Sequence, residues 1–491
     1  MANRRACEET GITMSRAIPA VSLILILIVG SGLRIWATGG DMWIDEVWSL
    51  DQMRVAASSE TSQDWIALFF HSNTHALNTL HMRLIDGWFG TTATPFAYRS
   101  LSLLSGILSI ALIAWWGWKR SPALAVIMTM LFAFSYPMIN YSGEARGYGP
   151  MVLAILVASS VLKNYLETPT TRTAGAFSLI SLLGLMSHLT FVVVQAGLGF
   201  WALTSIYKNR RNIISTTAQL VPLFGLQLLA ISGFGAIAFN NMVRGGDCCP
   251  EPALDSIRIM MDWTFGLDAN EIGSLLPLLI LTALIMFAVF KLAQQGDYVW
   301  VALSIVVLVF PLTTLIIETR PDVIHRYYLP SAVFALLVVG GVLTRMWQGG
   351  SWKKWICGAA LVLFCIGNAN LLVKFSDGMR GQYGQVIRMI ATSSPAQQRI
   401  SGFPKFSVST LVRHQIKILG LDERLKFVDQ KDEKSNPADW YINGYLDGQL
   451  PEPEITRNLA GAGSVTYSLI NIYPSWGLSG DTWALYEKIS R

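Results

Sequence analysis

The stretch "LAVIMTMLFAFSYPMINYSGEARGYGPMVLAILVAS", residues 124–159, holds two apolar runs joined by a short polar turn. A transmembrane helix needs about 20 consecutive, mostly apolar residues. The two runs therefore predict membrane spans near 122–140 and 149–165. The turn between them carries Glu144, Arg146 and Tyr148, and we expect these side chains to lie at one membrane surface.

Runs of the same kind continue in both directions from this pair. Of the 491 residues, 52% are hydrophobic and only 14% are charged, compared with about a quarter charged in soluble domains. The predicted fold class is therefore an all-α polytopic membrane protein with about 11 transmembrane helices. The other predicted spans lie near residues 17–38, 97–117, 173–189, 190–207, 214–238, 272–293, 298–318, 328–347 and 354–374.

The distribution of Lys and Arg predicts the orientation, because short loops rich in these residues stay in the cytoplasm. Alternate loops of this chain are short and basic, whereas the loops between them are longer and carry few basic residues. With an odd number of spans, the tail from about residue 375 then lies outside the cytoplasm, and we expect a multi-pass protein of a bacterial inner membrane. The basic loops contain Arg4, Arg5, Arg16, Lys119, Arg120, Lys163, Arg172, Lys208, Arg210, Arg211, Lys291, Arg345, Lys353 and Lys354.

The predicted outer face carries most of the residues that lie outside the spans. The first outer loop, residues 39–95, holds two amphipathic pieces, "EVWSLDQMRVAAS" and "DWIALFFHSNTHALNTLHMRLIDGWFG". In the second piece, apolar residues fall at helical spacing, which predicts helices lying in the membrane interface. These residues are Trp65, Leu68, Phe69, Leu77, Leu80, Leu84 and Trp88. The tail alternates helix-like and strand-like pieces: "GQYGQVIRMIA", "RISGF", "FSVSTLVRHQI", "KFVDQ", "DWYING", "SLINIYP" and "WALYEK". We predict a transmembrane domain over residues 1–374 and a small extracytoplasmic α/β domain over residues 375–491.

Charge and cysteine content argue against nucleic-acid binding and against a cysteine-based metal or redox site. The net charge of +5 comes from basic residues scattered over short loops, so we expect no nucleic-acid partner. The five cysteines have no metal-ligand or redox spacing. Cys248 and Cys249 are adjacent in a loop, and a bond between neighbours is strained. We interpret them as packed thiols rather than as a disulfide or a metal site.

Four motifs, in order along the chain, resemble the bacterial GT-C fold glycosyltransferases related to the dolichyl-phosphate-mannose protein mannosyltransferases and the lipid A aminoarabinose transferase. The most specific is "YSGEARGYG", residues 141–149, which is similar to a "YSxEARxY" turn of that family. The family's Pro-rich first-loop segment is replaced here by "THALNTLHM", residues 74–82. The other three motifs are "WIDEVWS" at residues 43–49, "FAYRSLSLLSGIL" at 96–108 and "HRYYLPS" at 325–331.

The resemblance implies transfer of a sugar from a polyprenyl-phosphate donor to an acceptor hydroxyl. A positioned carboxylate contributes about 10²–10⁴-fold as the base for such a hydroxyl. A retaining mechanism needs two carboxyl groups about 5 Å apart, but Asp45 and Glu46 are adjacent and their side chains diverge. We therefore predict inversion with Asp45 as the base and Glu46 beside it.

The leaving group of this reaction is a lipid phosphate, and arginine donates paired hydrogen bonds to phosphate oxygens. Arg146, Arg326 and Arg99 are the predicted phosphate ligands. No nucleotide diphosphate leaves, so we expect no metal ion and no cofactor. The predicted partners are the donor, membrane lipids and a glycan, glycolipid or protein acceptor. The predicted substrate-binding residues are His75, Glu144, Tyr148 and His325.

Each of these features also has a simpler structural interpretation. An acidic pair after a membrane span commonly caps a helix, and arginines at a membrane surface commonly anchor the interface. Two other functions are alternatives. A transporter or flippase for a lipid-linked glycan places charges near the membrane midplane, which these spans avoid. An O-antigen ligase or polymerase is expected to centre on a large late outer loop, whereas here the first outer loop is the most elaborate.

Overall fold

The computed structural model describes most of the chain, and it divides into two compact units. The membrane unit comprises Met1–Thr38, Thr61–His81 and Tyr98–Leu371, and the sheet unit comprises Gly39–Glu60, Met82–Ala97 and Leu372–Arg491. Predictions for Trp65, Cys248 and Cys249 lie outside the described residues. Those described are 2–59, 64, 68–69, 75–241, 252–269, 273–317, 324–429, 432–433, 436–445, 451–459 and 463–489.

Long apolar helices make up the membrane unit. The chain is a multi-pass integral membrane protein, as its composition predicts. The helices are α1 Ala2–Ala37, α2 Ile44–Ser58, α3 Ala76–Phe89, α4 Pro95–Trp118, α5 Pro122–Phe134, α6 Tyr136–Asn140, α7 Tyr148–Glu167, α8 Thr171–Ser187, α9 Phe191–Arg210, α10 Ile213–Asn241, α11 Ala253–Thr264, α12 Leu276–Gln294, α13 Val299–Ser304, α14 Phe310–Ile316, α15 Leu329–Gln348, α16 Ser351–Gly378, α17 Tyr383–Ser393 and α18 Lys405–Ile418. Of these, α2 belongs to the sheet unit, as do α17 and α18, while α3, α4 and α16 each contain a boundary between the units.

The spans agree with the predicted class in type and closely in number. Within the described ranges, 9 helices are long and apolar enough to cross a membrane, or up to 10 if one bent pair counts as a span. Two differences from the predicted eleven stand out. The fifth predicted span is α8, a helix of 17 residues, shorter than the roughly 20 that the hydrocarbon core requires. The third is not one straight helix.

The third predicted span, 122–140, bends by 68° between α5 and α6. Pro137 has no N–H to donate to the carbonyl of Ala133, so the helix cannot continue in register. Arg34 of α1 donates to that carbonyl at 3.0 Å, and the Tyr136 N–H donates to Asn368 Oδ1 at 2.7 Å. Side chains from two other helices thus form the hydrogen bonds that these backbone groups lose at the bend. After the bend, α6 leads into the polar turn.

Within the described residues, the sheet unit contains six strands in the order β2-β1-β3-β6-β5-β4. Strand β1 pairs parallel with β2 and β3, and the remaining neighbours are antiparallel. Tyr441, Tyr467 and Tyr486 form part of a buried core on this sheet. The predicted α/β tail is therefore confirmed in class. The strands are β1 Gln398–Phe403, β2 Leu425–Phe427, β3 Trp440–Tyr445, β4 Glu454–Leu459, β5 Gly463–Tyr473 and β6 Thr482–Lys488.

The first part of the loop after α1, which was predicted to lie outside, belongs to the sheet unit. Asp41 Oδ2 accepts a hydrogen bond of 2.7 Å from the Gly384 N–H at the start of α17. The Trp48 ring of α2 packs edge-on against Phe406 of α18, with centroids 4.8 Å apart. Both contacts join residues more than 300 positions apart in sequence, so helical spacing alone did not reveal them.

Candidate functional site

The polar turn after α6 is a short 3-10 helix, Tyr141–Gly143, followed by Glu144, Ala145, Arg146 and Gly147. Side-chain hydrogen bonds hold it in place. Asn140 Nδ2 donates to Glu144 Oε1 at 2.9 Å, Asn78 Nδ2 donates to the Ala145 carbonyl, and Ser102 Oγ donates to the Arg146 carbonyl at 2.6 Å. The side chains of Glu144 and Arg146 are buried, so the "YSGEARGYG" segment is a fixed element of the membrane unit rather than a solvated loop.

Two glycines of this motif are required by close packing. A Cβ on Gly147 would overlap the Ser187 carbonyl oxygen and lie 3.1 Å from His75 Nδ1. A Cβ on Gly149 would lie 2.7 Å from the Ser102 carbonyl oxygen. Real Cβ atoms do not approach other atoms this closely, and interiors have little room to relax. The glycines therefore allow the turn to lie directly against α4 and the end of α8.

Two buried histidines lie beside the turn, His75 before α3 and His188 after α8. Their ring centroids are 4.7 Å apart, and the ring of Tyr148 lies 5.4 Å from His75 and 5.0 Å from His188. Tyr141 adds a fourth ring, 4.6 Å from Tyr148. We call this set, with Arg146 and Arg326, the histidine–arginine cluster.

Their hydrogen bonds fix the tautomers of the two histidines. His75 Nδ1 lies 3.0 Å from the Ser187 carbonyl oxygen, an acceptor, so Nδ1 carries the proton and Nε2 is an acceptor. His188 Nδ1 accepts from the Thr190 N–H at 3.1 Å, so its Nε2 carries the proton. In the described part of the chain, the buried Nε2 of His75 has no hydrogen-bond partner. The pair thus presents one acceptor and one donor nitrogen.

Burial keeps both imidazoles neutral. Desolvation, assisted by the positive charges of Arg146 and Arg326, lowers the pKa of His188 to about 3. Desolvation and Arg146 also lower the pKa of His75 well below its ordinary value. Both effects disfavour the charged form of a histidine. The positive charge of the cluster therefore resides on the two arginines, and the histidines act as neutral hydrogen-bonding groups.

The "HRYY" segment brings one of its two predicted site residues to the cluster. It forms a 3-10 helix, His325–Tyr328, fixed by a hydrogen bond of 2.7 Å between Tyr328 Oη and Thr314 Oγ1. Arg326 is half-buried and acts electrostatically on both histidines. His325 instead lies 6.4 Å, ring to ring, from Trp263 of α11.

An apolar groove begins at the cluster. The groove has a volume of about 340 Å³ and lies among α8, α9 and α10. His188 of the cluster is one of its lining residues. Isoprenoid chains are apolar and bind surfaces of this kind through the hydrophobic effect. Its lining residues are Phe69, Ala76, Leu182, Leu185, Met186, His188, Leu189, Val192, Ala230, Ile231 and Phe234.

Arg99 occupies a different position from the other two predicted phosphate ligands. Its side chain is fully buried, and Nη1 donates to the Thr38 carbonyl at 2.8 Å. Thr38 follows the last residue of α1, so this bond satisfies a carbonyl that the helix leaves free. One nitrogen of the Arg99 guanidinium therefore caps the C-terminal end of α1.

Asp45 and Glu46 stand in the first turn of α2, in the sheet unit. Glu46 is fully buried, and its Oε2 accepts from the Trp43 N–H at 3.1 Å. This is the carboxylate half of a capping box. The simpler interpretation, a helix cap, thus describes Glu46. Asp45 retains 8% exposure and does not make that capping bond.

Comparison with known proteins gives a structural relationship. No protein-family model matches the chain, and no curated protein matches it. The crystal structure of ArnT from Cupriavidus metallidurans in the apo state is similar with a TM-score of 0.53 at 9% identity, covering 94% of this chain and 97% of that one. The chain has a GT-C fold.

A second similarity is weaker. The oligosaccharyltransferase AglB from Archaeoglobus fulgidus, solved with an inhibitory peptide and a dolichol-phosphate, gives a TM-score of 0.45 at 10% identity, covering 88% of this chain and 70% of that one. At these identities the ArnT likeness establishes the GT-C architecture and confirms the fold expected from the motifs.

Sequence reasoning missed one member of this site, His188, which falls near the end of the predicted span 173–189. The signal for His188 was a lone histidine between long apolar runs, where an ionisable residue is costly and commonly functional. Among the described residues, no group of three or more His, Cys, Asp or Glu could hold a metal ion.

Proposed function

We propose that the protein is a membrane glycosyltransferase that moves a sugar from a polyprenyl-phosphate donor to an acceptor hydroxyl. The observation that carries the proposal is the histidine–arginine cluster at the end of the apolar groove. Arg146 and Arg326 supply positive charge beside two neutral histidines, and the groove leads away from His188. A phosphate on an apolar tail matches this arrangement of charge and surface.

In the proposed reaction, the acceptor oxygen forms a bond to the anomeric carbon as the bond from that carbon to the phosphate oxygen breaks. The acceptor's proton passes to a carboxylate, and the electron pair of the broken bond remains on the lipid phosphate. Arg146 and Arg326 bind this phosphate and stabilise the negative charge that it gains. A single displacement of this kind inverts the anomeric centre.

The neutral histidines suit the sugar and its linkage. The acceptor nitrogen of His75, which has no partner within the described residues, receives a hydrogen bond from a sugar hydroxyl. The Nε2–H of His188 donates to an oxygen of the donor. Because neither imidazole is charged, both bind through directional hydrogen bonds rather than by competing with the arginines for the phosphate.

The carboxylate that accepts the proton is proposed to be Asp45, on the ground of its motif and because Glu46 is engaged in the helix cap. Glu144 is the alternative within the membrane unit, but its Oε1 accepts from Asn140 at 2.9 Å, which favours a role in holding the turn. The distribution of Lys and Arg supports a reaction at the extracytoplasmic surface. The acceptor belongs to the envelope: a glycan, a glycolipid or a protein.

Mass spectrometry of envelope glycans and glycolipids tests this function. Cells that lack the protein, or carry only the double variant Arg146→Ala/Arg326→Ala, are expected to lose one glycosylated species and to accumulate the polyprenyl-phosphate sugar. Arg172→Ala, an exposed arginine at the start of α8, is the matched control and should restore the species. Unchanged envelope glycans in the deleted cells contradict the proposal. Accumulation of a complete lipid-linked glycan on the inner leaflet alone would indicate transport instead.

A further inference from the structure

A second cavity of the membrane unit lies at the opposite ends of the helices that begin at the cluster. It has a volume of about 310 Å³, and its lining includes Lys163 of α7 and Arg345 of α15. At 1.5 Å per residue, Lys163 lies about 22 Å along α7 from Tyr148, and Arg345 about 24 Å along α15 from Leu329. Most of the hydrocarbon thickness therefore separates Lys163 and Arg345, at the edge of this cavity, from the helix ends beside the histidine–arginine cluster.

The cavity combines an apolar interior with a cationic edge. Its interior is lined by buried apolar residues, including Ile113, Trp201 and Phe334. Its edge carries three cations, Arg120, Lys163 and Arg345, and one anion, Asp297. The net charge of the lining is therefore positive.

The carboxylate at the edge, Asp297, already accepts a hydrogen bond from the backbone. Asp297 Oδ1 accepts from the Val299 N–H at 3.0 Å, at the start of α13. In the part of the chain that the structure describes, Lys163 alone of the three cations has an acidic partner, Glu167 at 3.8 Å. Both side chains of that pair are well exposed, so the pair is weak.

One of the two arginines that line the cavity, Arg120, is held by contacts with Trp116. Arg120 lies over the face of Trp116, 5.2 Å from the ring centroid, and donates to the Trp116 carbonyl at 3.3 Å. Trp116 is held in turn by a hydrogen bond of 2.9 Å from its Nε1 to Ser160 Oγ. Arginine binds phosphate through paired N–H groups. The stacking restrains Arg120 at the mouth of the cavity.

We propose that this cavity binds one anionic glycerophospholipid of the adjacent leaflet, with the phosphate at Arg120 and Arg345 and an acyl chain in the apolar interior. Basic pockets between transmembrane helices are suited to anionic headgroups. The lipid is a structural ligand that stabilises the ends of α4, α7 and α15. The site is separate from the donor site, and the inference does not depend on the proposed reaction.

The wall of the cavity offers a substitution that leaves its charges intact. Gly341 lines the cavity, and a Cβ built there meets nothing within 4 Å. A large side chain at this position therefore enters the space that the acyl chain occupies. Gly341→Phe blocks the interior, whereas Arg120→Gln/Arg345→Gln removes the headgroup contacts.

The test uses the purified full chain in detergent with phosphatidylglycerol or phosphatidylcholine, measured by native mass spectrometry and by thermal unfolding. Wild type is expected to retain phosphatidylglycerol and to unfold at a higher temperature in its presence, whereas phosphatidylcholine does neither. The Arg120→Gln/Arg345→Gln protein should bind phosphatidylglycerol about 30-fold more weakly. Gly341→Phe should also lose the bound lipid while keeping all three cations.

Lys119→Gln/Lys354→Gln is the matched control, because these basic residues do not line the cavity. It should bind phosphatidylglycerol as wild type does, and so should Arg146→Ala/Arg326→Ala. Equal retention of both phospholipids by wild type overturns the headgroup assignment, as does unchanged binding by the Arg120→Gln/Arg345→Gln protein. Displacement of phosphatidylglycerol by a lower concentration of undecaprenyl phosphate would show that the cavity belongs to the donor instead.

Discussion

The imidazole rings of His75 and His188 lie 4.7 Å apart between centroids, and both side chains are buried. Two protonated histidines at this separation would repel each other and the nearby arginines. Their backbone hydrogen bonds instead fix complementary neutral tautomers, one presenting an acceptor and the other a donor. The pair is therefore a neutral hydrogen-bonding site between cationic groups.

This arrangement predicts a loss of stability in acid. Above the ordinary histidine pKa of about 6.5, both states of the chain keep these rings neutral. As the pH falls below that value, the unfolded chain binds protons that folded His188 does not accept until about pH 3, so unfolding is favoured. At about pH 5 the loss for His188 alone is about 1–2 kcal/mol.

Thermal unfolding in detergent at about pH 7.5 and about pH 5 measures this effect. His188→Gln removes one titrating group, so its unfolding temperature should fall less between the two pH values than that of wild type. His325→Gln is the control, since His325 lies beside Trp263 rather than in the histidine pair. An equal fall in wild type and His188→Gln contradicts the assignment of a buried neutral His188.

The second prediction separates the two adjacent acids. Asp45→Asn should lower sugar transfer by about 10²–10⁴-fold because the base is removed. Glu46→Gln should retain most activity, since glutamine also accepts the Trp43 N–H in a capping box. Transfer is measured as restoration of the glycosylated envelope species, with protein level checked by immunoblot. The opposite pattern, an active Asp45→Asn and an inactive Glu46→Gln, would exchange the two roles.

The third prediction concerns the packing of the polar turn. Gly147→Ala should destabilise the protein by about 1–3 kcal/mol through overpacking against Ser187 and His75. The control is Gly175→Ala in α8, where an added Cβ meets nothing within 4 Å. There alanine should be neutral or stabilising by about 0.5–1 kcal/mol. Apparent unfolding temperatures measure both, and a Gly147→Ala protein as stable as wild type refutes the packing argument.

The fourth prediction concerns orientation. In a background with the native cysteines removed, Ser464→Cys in β5 should react in intact spheroplasts with a membrane-impermeant thiol reagent. Gln348→Cys at the end of α15 should react only after lysis. Both positions are exposed, so access depends on the side of the membrane. The reverse labelling pattern would invert the orientation inferred from the basic loops.

The sequence was sufficient for the membrane architecture because apolar length is a local property. Runs of about 20 residues predicted the spans, and "RISGF" and "WALYEK" fell on strands β1 and β6. The "YSGEARGYG" motif led to the turn that holds Glu144 and Arg146. Each of these features was predicted from residues that are adjacent in the sequence.

Features that depend on distant residues were not predicted. The bend at Pro137 is stabilised by Arg34 and Asn368, which lie about 100 and 230 positions away in sequence. His188 joins the site only because α8 ends against the turn at Gly147. Strand β4 was not among the strand-like pieces, since its residues alternate between exposed and half-buried and include no buried apolar run.

The most direct test of the account is the binding of undecaprenyl phosphate to purified wild type, Arg146→Ala, Arg326→Ala and the corresponding lysine variants. Loss of a charge-assisted hydrogen bond of about 1.5–3 kcal/mol predicts about 10- to 100-fold weaker binding for each alanine variant. Lysine keeps the charge but loses the paired N–H geometry, so it should fall between alanine and wild type. Arg172→Ala and Asp45→Asn should bind as wild type does. Unchanged affinity in both the Arg146→Ala and the Arg326→Ala protein would contradict the central claim that this cluster binds a lipid phosphate.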